Sequence, residues 1–371
     1  MKLTREALIE RDLRRNVWTV MGLPFDATTE AETAQHLIDS ATEDEPCFFT
    51  TPNLNFAITA MKDDPFYQSV INSDWVVADG MPLIWVARQL GVPLPERVAG
   101  SSVFERIHKG YNDSARPLRV IFFGGPDGVA SEAFRKIETD NSHLQVVGFY
   151  SPGFGSMEEM SATEVIEEIN SKHADIVLVA LGAKRGQEWI ERNRHALNAP
   201  VISHLGAVIN FVAGTVSRAP LWIQKSGLEW LWRIWEEHSL FKRYWHDGKA
   251  FLKYYFKNIR PYNRLIAIQN KRPTHPIDTM FDQSTGTLSI IGDARFNQLD
   301  KLRQRLIELV TEQRIKRIDF SGIAMFDASF TGLLQLLNKH VTAYASEGLK
   351  LQNLSTEHQN VLRYLGLNEK L

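Results

Sequence analysis

Cys47-Phe48-Phe49-Thr50-Thr51-Pro52-Asn53 and, about one helix pair later, Trp75-Val76-Val77-Ala78-Asp79-Gly80 decide how this chain is read. In each stretch an apolar run stops abruptly at polar residues. Such a run, bounded by turn residues, is the pattern of a short buried strand. Its C-terminal end releases a hydroxyl, an amide or a carboxylate into a loop. In open α/β sheets, ligands bind in the crevice outside strand ends of this kind. Thr51, Asn53 and Asp79 are therefore the first candidate site residues, placed where a sugar nucleotide can sit.

Outward from these two runs the same rhythm repeats. Apolar runs at 18–21, 118–123, 144–148, 176–181 and 201–205 alternate with amphipathic segments of helical period between residues 31 and 194. Strand–helix alternation predicts a mainly parallel, Rossmann-like α/β sheet with helices on both faces. The chain of 371 residues is long enough for two or three domains, and 44% hydrophobic with 23% charged residues is ordinary globular composition. A net charge of -2 speaks against a general nucleic-acid binder. Cys47 is the single cysteine, which excludes an internal disulfide and a multi-cysteine zinc site; its place in a buried run predicts an inert core thiol. Residues 1–15 carry mixed charge and no apolar h-region, and no apolar stretch reaches the roughly 20 residues that span a bilayer. The expectation is a cytoplasmic protein that at most lies on a membrane.

Residues 220–260 change character. Five of the nine tryptophans fall between Trp222 and Trp245. Beyond Glu237, Lys242, Arg243, Lys249, Lys253, Lys257 and Arg260 stand against the lone acid Asp247, interleaved with Tyr244, Trp245, Phe251, Tyr254, Tyr255 and Phe256. The segment reads as two helices broken near Asp247-Gly248. Aromatic and basic residues on one amphipathic helix suit an anionic membrane surface; a tryptophan-rich hairpin packed on the core with a solvated basic face explains them equally well. The two prolines of Lys271-Arg272-Pro273-Thr274-His275-Pro276 make a linker. The resulting division is 1–232 for the main domain, 233–270 for a basic aromatic helical appendage, 271–276 for the linker and 277–371 for a small C-terminal α/β domain.

Each motif has a structural reading beside the chemical one. Asp79 is placed to act as a general base toward a sugar hydroxyl, or to cap the helix that follows. Thr51 and Asn53 offer uncharged hydrogen-bonding groups, or a cap. The Gly124-Gly125 turn after a strand suits a diphosphate, or is a tight turn; it lacks the G-x-G-x-x-G spacing. Gln187 follows another strand and can hydrogen-bond a sugar or base, while Lys184 and Arg185 meet phosphates or decorate a loop. Arg218 can stabilise a leaving diphosphate, because a guanidinium matches phosphate oxygens in a bidentate way. The histidines lack metal-ligand spacing, and no phosphate loop or D-x-D is present. His204 reads first as a core histidine.

Taken in order, Thr51-Pro52-Asn53, Asp79-Gly80, Arg97-Val98-Ala99-Gly100, Gly124-Gly125, Gln187-Glu188-Trp189, Leu205-Gly206-Ala207, Arg218-Ala219-Pro220 and Leu228-Glu229-Trp230 resemble the TagA/CpsF/WecG family of bacterial glycosyltransferases over roughly residues 17–245. The resemblance implies an inverting, metal-independent and cofactor-free transfer from a UDP-sugar donor to a lipid-linked saccharide acceptor at the inner face of the cytoplasmic membrane. It feeds cell-surface polysaccharides: wall teichoic acids, capsules or exopolysaccharides. It also implies Asp79 as general base, Thr51, Asn53 and Gln187 lining the site, and residues 233–260 docking on the membrane and closing over it.

Residues 277–371 resemble a STAS domain through Ile318-Asp319-Phe320-Ser321-Gly322 and Phe326-Asp327-Ala328-Ser329-Phe330-Thr331-Gly332. That resemblance implies a protein partner and regulation by phosphate at Ser329, with a phosphorylation-silent docking domain as the other outcome. Two functions of other classes stay open. One is a degenerate transferase acting as a scaffold through its tail; the other is a nucleotide-sugar oxidoreductase built on the Gly124-Gly125 turn.

Overall fold

The computed structural model describes residues 3–110, 116–125, 128–139, 143–151, 153, 155–205, 208–209, 214, 220, 223, 229–236, 240–367 and 370–371. Its centre is a six-stranded, all-parallel sheet. The strands are β3 (Cys47–Thr50), β4 (Trp75–Val76), β5 (Leu118–Gly124), β6 (Leu144–Tyr150), β7 (Ile176–Ala180) and β8 (Val201–His204), in the spatial order β4-β3-β8-β7-β5-β6. One face is covered by helices Glu30–Thr42, Gly100–His108 and Val129–Thr139 over a core that includes Leu37, Phe104, Val120 and Leu178. The other carries helices Thr163–Ser171 and Ala183–Asn193 over Phe123, Val177, Trp189 and Ile202. A sheet buried on both faces explains why its strands read as unbroken apolar runs. Cys47 is buried, and burial pushes its thiol up to about 12, as fits an inert core residue.

The first apolar run lies outside this sheet. β1 (Val17–Val20) pairs antiparallel with β2 (Leu23–Asp26). Their two-residue turn puts Met21 and Gly22 at φ 51° and 82°, the backbone that a tight hairpin demands. The helix Arg5–Arg14 precedes the hairpin.

The C-terminal residues form a mixed sheet in the order β12-β11-β10-β9. β10 (Thr287–Ala294), β11 (Arg317–Phe326) and β12 (Lys350–Gln352) run parallel, and β9 (Asp278–Asp282) adds an antiparallel edge. Coil at 273–277 leads into it, where the prolines fall. This tail does not have a core of its own. Leu288, Phe320, Phe330 and Leu337 belong to one continuous apolar cluster with Ile9, Val17, Phe25, Tyr67 and Leu83 of the first hundred residues.

Polar contacts fix the same seam. On tail helix Ala328–Val341, Gln335 donates to the Gly22 carbonyl (2.7 Å) and the Tyr67 hydroxyl (2.9 Å) and accepts from Thr19 (2.9 Å). Thr331 donates to Thr19 (2.8 Å). Gly332 lets the backbones meet: a Cβ there would stand 2.9 Å from the Val17 carbonyl oxygen. Asp12, 1% exposed, accepts from Lys339 (2.8 Å) and lies 3.0 Å from His340 Nε2. Burial alone would raise the Asp12 pKa, but Lys339, the His340 hydrogen bond and Arg15 outweigh it and hold the carboxyl well below the usual range.

The appendage differs from its expected form. No break falls at Asp247-Gly248; helix runs through it as Phe241–Tyr254, continues as a π turn over Tyr255–Ile259, and resumes as Arg260–Gln269. The irregularity sits immediately before Pro261. Proline has no N–H and its ring crowds the carbonyl four residues back, so the widened turn absorbs it without ending the helix.

Candidate active site

All six strands of the central sheet point their C-terminal ends the same way, and the loops leaving β3 and β4 lie side by side. The Asp79 N–H donates to the Pro52 carbonyl (2.9 Å), and Val98 N–H to the Ala78 carbonyl (3.0 Å). These bonds gather Thr51–Asn53, Asp79 and Arg97 at one corner. Asn53 caps helix Leu54–Ala60 by accepting from the Phe56 N–H (3.1 Å). Gly80, at φ 135°, occupies the cap position of helix Met81–Gln89, and Asp79 immediately precedes it.

The corner opens into a cavity of about 420 Å³, within the range of small-molecule sites. Asn53, Asn55, Asp79, Gly80, Pro82 and Arg97 line it from the sheet side. Arg243, Tyr244, Asp247, Gly248 and Phe251 line it from the appendage helix. Asp247, 4% exposed, accepts from Asn55 Nδ2 at 3.2 and 3.1 Å through its two oxygens. Two guanidiniums and two carboxylates therefore share one cavity.

Other expected site residues fall elsewhere. Gln187 does not line the cavity: it is fully buried in helix Ala183–Asn193, and its Nε2 donates to Thr50 Oγ1 at the end of β3. Its Oε1 has no hydrogen-bond partner among the described residues. Gln187 stands behind the strand end rather than in the cleft. Thr51 is half-buried beside Gly100, where an added Cβ would meet its side chain at 3.3 Å. Gly124 ends β5 and Gly125 follows it, at φ 91° and 90°, and the Gly125 N–H donates to the Ala180 carbonyl (2.9 Å). That donor is taken by the neighbouring strand, which weakens both the diphosphate and the oxidoreductase readings of this turn. Lys184 pairs with Asp63 (2.5 Å), and Arg185 donates to the Gly155 carbonyl (2.7 Å). Arg218 lies outside the described residues. His204 is half-buried at the end of β8 with its Nε2 enclosed; desolvation pushes it down to about 4, so it is neutral at pH 7.

Ser329 is the residue that the tail resemblance singles out for phosphate. It is fully buried, and its hydroxyl donates to Asp327 (2.6 Å), whose carboxylate also accepts from the N–H groups of Ser329 and Phe330. The helix that carries it is packed on β1. A phosphate there would sit against the Asp327 carboxylate, with no solvent path for a kinase.

Reading the sequence missed Asn55 and the inward role of Asp247, Arg243 and Phe251. A signal for Asp247 was present: one acid in an otherwise basic run. The remaining face of the appendage helix is open, with Phe241, Trp245, Leu252 and Phe256 each more than half exposed. Lys249 lies 5.5 Å from the Trp245 ring. Among the described residues, no helix is long and apolar enough to cross a membrane.

Comparison with known proteins places this cavity in context. The chain is 28% identical over 202 residues to an N-acetylglucosaminyldiphosphoundecaprenol N-acetyl-beta-D-mannosaminyltransferase of Bacillus spizizenii, covering 54% of this chain and 76% of that protein. The Bacillus subtilis protein of the same name is 28% identical over 185 residues, 50% and 70% of the two chains. A Staphylococcus aureus protein of that name is 21% identical over 218 residues, 58% and 82%. The model of the glycosyl transferase WecG/TagA/CpsF family matches residues 18–264, from the β1 strand to within the appendage helix. The chain belongs to the WecG/TagA/CpsF family of glycosyltransferases.

Proposed function

We propose that this protein transfers a sugar from a UDP-sugar to a lipid-linked, diphosphate-bearing saccharide in the synthesis of a cell-surface polysaccharide, by an inverting, metal-independent mechanism. The observation that carries the reading is Asp79, held at a strand end in a cavity that also receives Arg97 and Arg243. The named relatives transfer N-acetylmannosaminyl groups to N-acetylglucosaminyldiphosphoundecaprenol, which makes that donor sugar and that acceptor class the first to try.

Inversion in a single displacement needs one base, a stabilised leaving group and exclusion of water. Asp79 takes the proton of the acceptor hydroxyl as its oxygen attacks the anomeric carbon; the bond to the UDP oxygen breaks and UDP leaves with the electron pair. Arg97 and Arg243 supply the positive charge that a departing diphosphate requires. Arg218, by the family resemblance, joins them. Asn53 orients the donor from the β3 loop, and Gln187 holds the end of β3 from behind. The appendage helix covers the cavity and turns Phe241, Trp245, Leu252 and Phe256 outward, a face suited to the cytoplasmic membrane surface where a lipid-linked acceptor is presented.

In this reading a protein partner of the tail meets a face other than the buried 327–331 loop. The test is a donor panel with a diphosphate-lipid acceptor: wild type forms product, and Asp79→Asn binds UDP but does not turn over. Near-normal transfer by Asp79→Asn overturns the assignment. Failure to bind UDP or any UDP-sugar favours a scaffold.

A further inference from the structure

The family match stops at residue 264, so it gives the tail no task. We infer that the tail is a clamp in cis: it fixes the appendage helix as the second wall of the cavity. One continuous helix reaches from the cavity to the tail. Its first half supplies Arg243, Tyr244, Asp247 and Phe251 to the cavity. Its second half buries Tyr254, Ile259 and Tyr262 in the apolar cluster that also holds Leu362 and Leu365 of the tail.

Polar bonds run along the same contact. Tyr254 Oη donates to the Tyr364 carbonyl (3.0 Å) and Asn258 Nδ2 to the Arg363 carbonyl (2.9 Å), both at the C-terminal end of tail helix Thr356–Tyr364. These carbonyls belong to the last turn of that helix, where intrahelical donors run out. Glu357, near its start, accepts from Gln269 (2.8 Å) and receives both arms of Arg272 (2.9 and 3.1 Å). The tail helix is thus gripped near both ends by side chains from the stretch 254–272, C-terminal to the cavity-lining residues.

The tail is itself anchored to the catalytic half through Thr331, Gln335 and Asp12. On the cavity side, Asp247 ties the helix to Asn55, and Trp85 of helix Met81–Gln89 packs against Phe251 and Tyr255 with ring centroids 5.7 and 5.6 Å apart. A helix packed on the catalytic half at one end and clamped by the tail at the other keeps a fixed register over the cavity. Without the clamp, its second half loses its buried partners, and exposed helices hold poorly by propensity alone.

Only the catalytic consequence rests on the proposed function; the clamp itself is testable without substrate. In the full chain, Tyr254→Phe, Asn258→Ala and Glu357→Ala are combined and amide hydrogen exchange is followed. Exchange across 241–259 is expected to rise about tenfold while amides of β3 and β7 keep their rates, because each bond removed is a modest stabiliser. Lys257→Ala, on the exposed face of the same helix, leaves these rates unchanged. Should the triple variant unfold, Asn258→Ala alone is held to the same criterion at about threefold. Unchanged exchange across 241–259 overturns the clamp. In a transfer assay the triple variant is expected to raise the donor KM several-fold; faster exchange with unaltered kcat and KM overturns its bearing on the site.

Discussion

The two walls of the cavity are built by different means. The sheet-side wall, with Asp79, Asn53 and Arg97, hangs on short loops from β3 and β4, and backbone hydrogen bonds between neighbouring loops set its shape. The helix-side wall, with Arg243, Asp247 and Phe251, comes from a segment almost two hundred residues later that packs by side chains on both the catalytic half and the tail. The first wall is rigid because it ends a fully buried parallel sheet. The second depends on contacts that can be loosened separately. Chemistry placed on the rigid wall and closure placed on the adjustable one is an arrangement that lets binding and turnover be separated by mutation.

The largest expected effect breaks the first wall chemically without moving it. Asp79→Asn is expected to lower transfer by about 10²–10⁴-fold, the span of a lost general base, with UDP binding retained in titration calorimetry. Next comes the seam that holds the second wall's clamp. Asp12→Asn leaves Lys339 and Arg15 beside a buried neutral group, and is expected to cost about 3–5 kcal/mol in urea unfolding. The sign with pH follows from the depressed pKa: the contribution of Asp12 is complete above about pH 4 and is lost as pH falls below it. Wild type and variant should therefore converge in stability in acid.

Gly332→Ala forces a Cβ against the Val17 carbonyl and is expected to cost about 1–3 kcal/mol by the same measurement, with little change in kcat for the molecules that remain folded. Asp247→Ala removes the latch to Asn55 and is expected to raise donor KM about tenfold more than it lowers kcat, the opposite split from Asp79→Asn. The smallest effect is on the outer face: Trp245→Ala is expected to weaken binding to anionic vesicles several-fold while leaving UDP affinity as it was. Equal kcat and KM effects for Asp79→Asn and Asp247→Ala would erase the distinction between the walls.

Much of this was legible from local pattern. The strand–helix alternation of residues 47–205 is a run of short-range signals, and six of the seven expected strands form the central sheet; the run at 18–21 pairs in a separate hairpin instead. Cys47 was recognisable as a core thiol because its neighbours are apolar. The hairpin strand at 23–26 escaped notice because Leu23-Pro24-Phe25-Asp26 is short and holds a proline. The helix break expected at Asp247-Gly248 failed because glycine only weakens a helix, and packing on both sides outweighs roughly 1 kcal/mol. Gln187 looked like a site residue since it follows a strand, yet sequence position does not say whether a side chain points into the cleft or behind it. Ser329 looked like a switch because its loop pattern names a chemistry; its burial comes from β1, more than three hundred residues earlier in the chain.

By itself the sequence determined the parallel sheet, the strand ends that carry Thr51, Asn53 and Asp79, and the basic aromatic character of the appendage. These follow from periodicity and from turn chemistry within a few residues. Tertiary structure alone decided that Asp247 faces Asn55 across 192 residues of chain, that Gln335 meets Thr19 across 316, and that the tail shares one core with the catalytic half. The physical reason is that burial and pairing at such separations are set by which surfaces meet once the chain is compact, and no local pattern encodes that meeting.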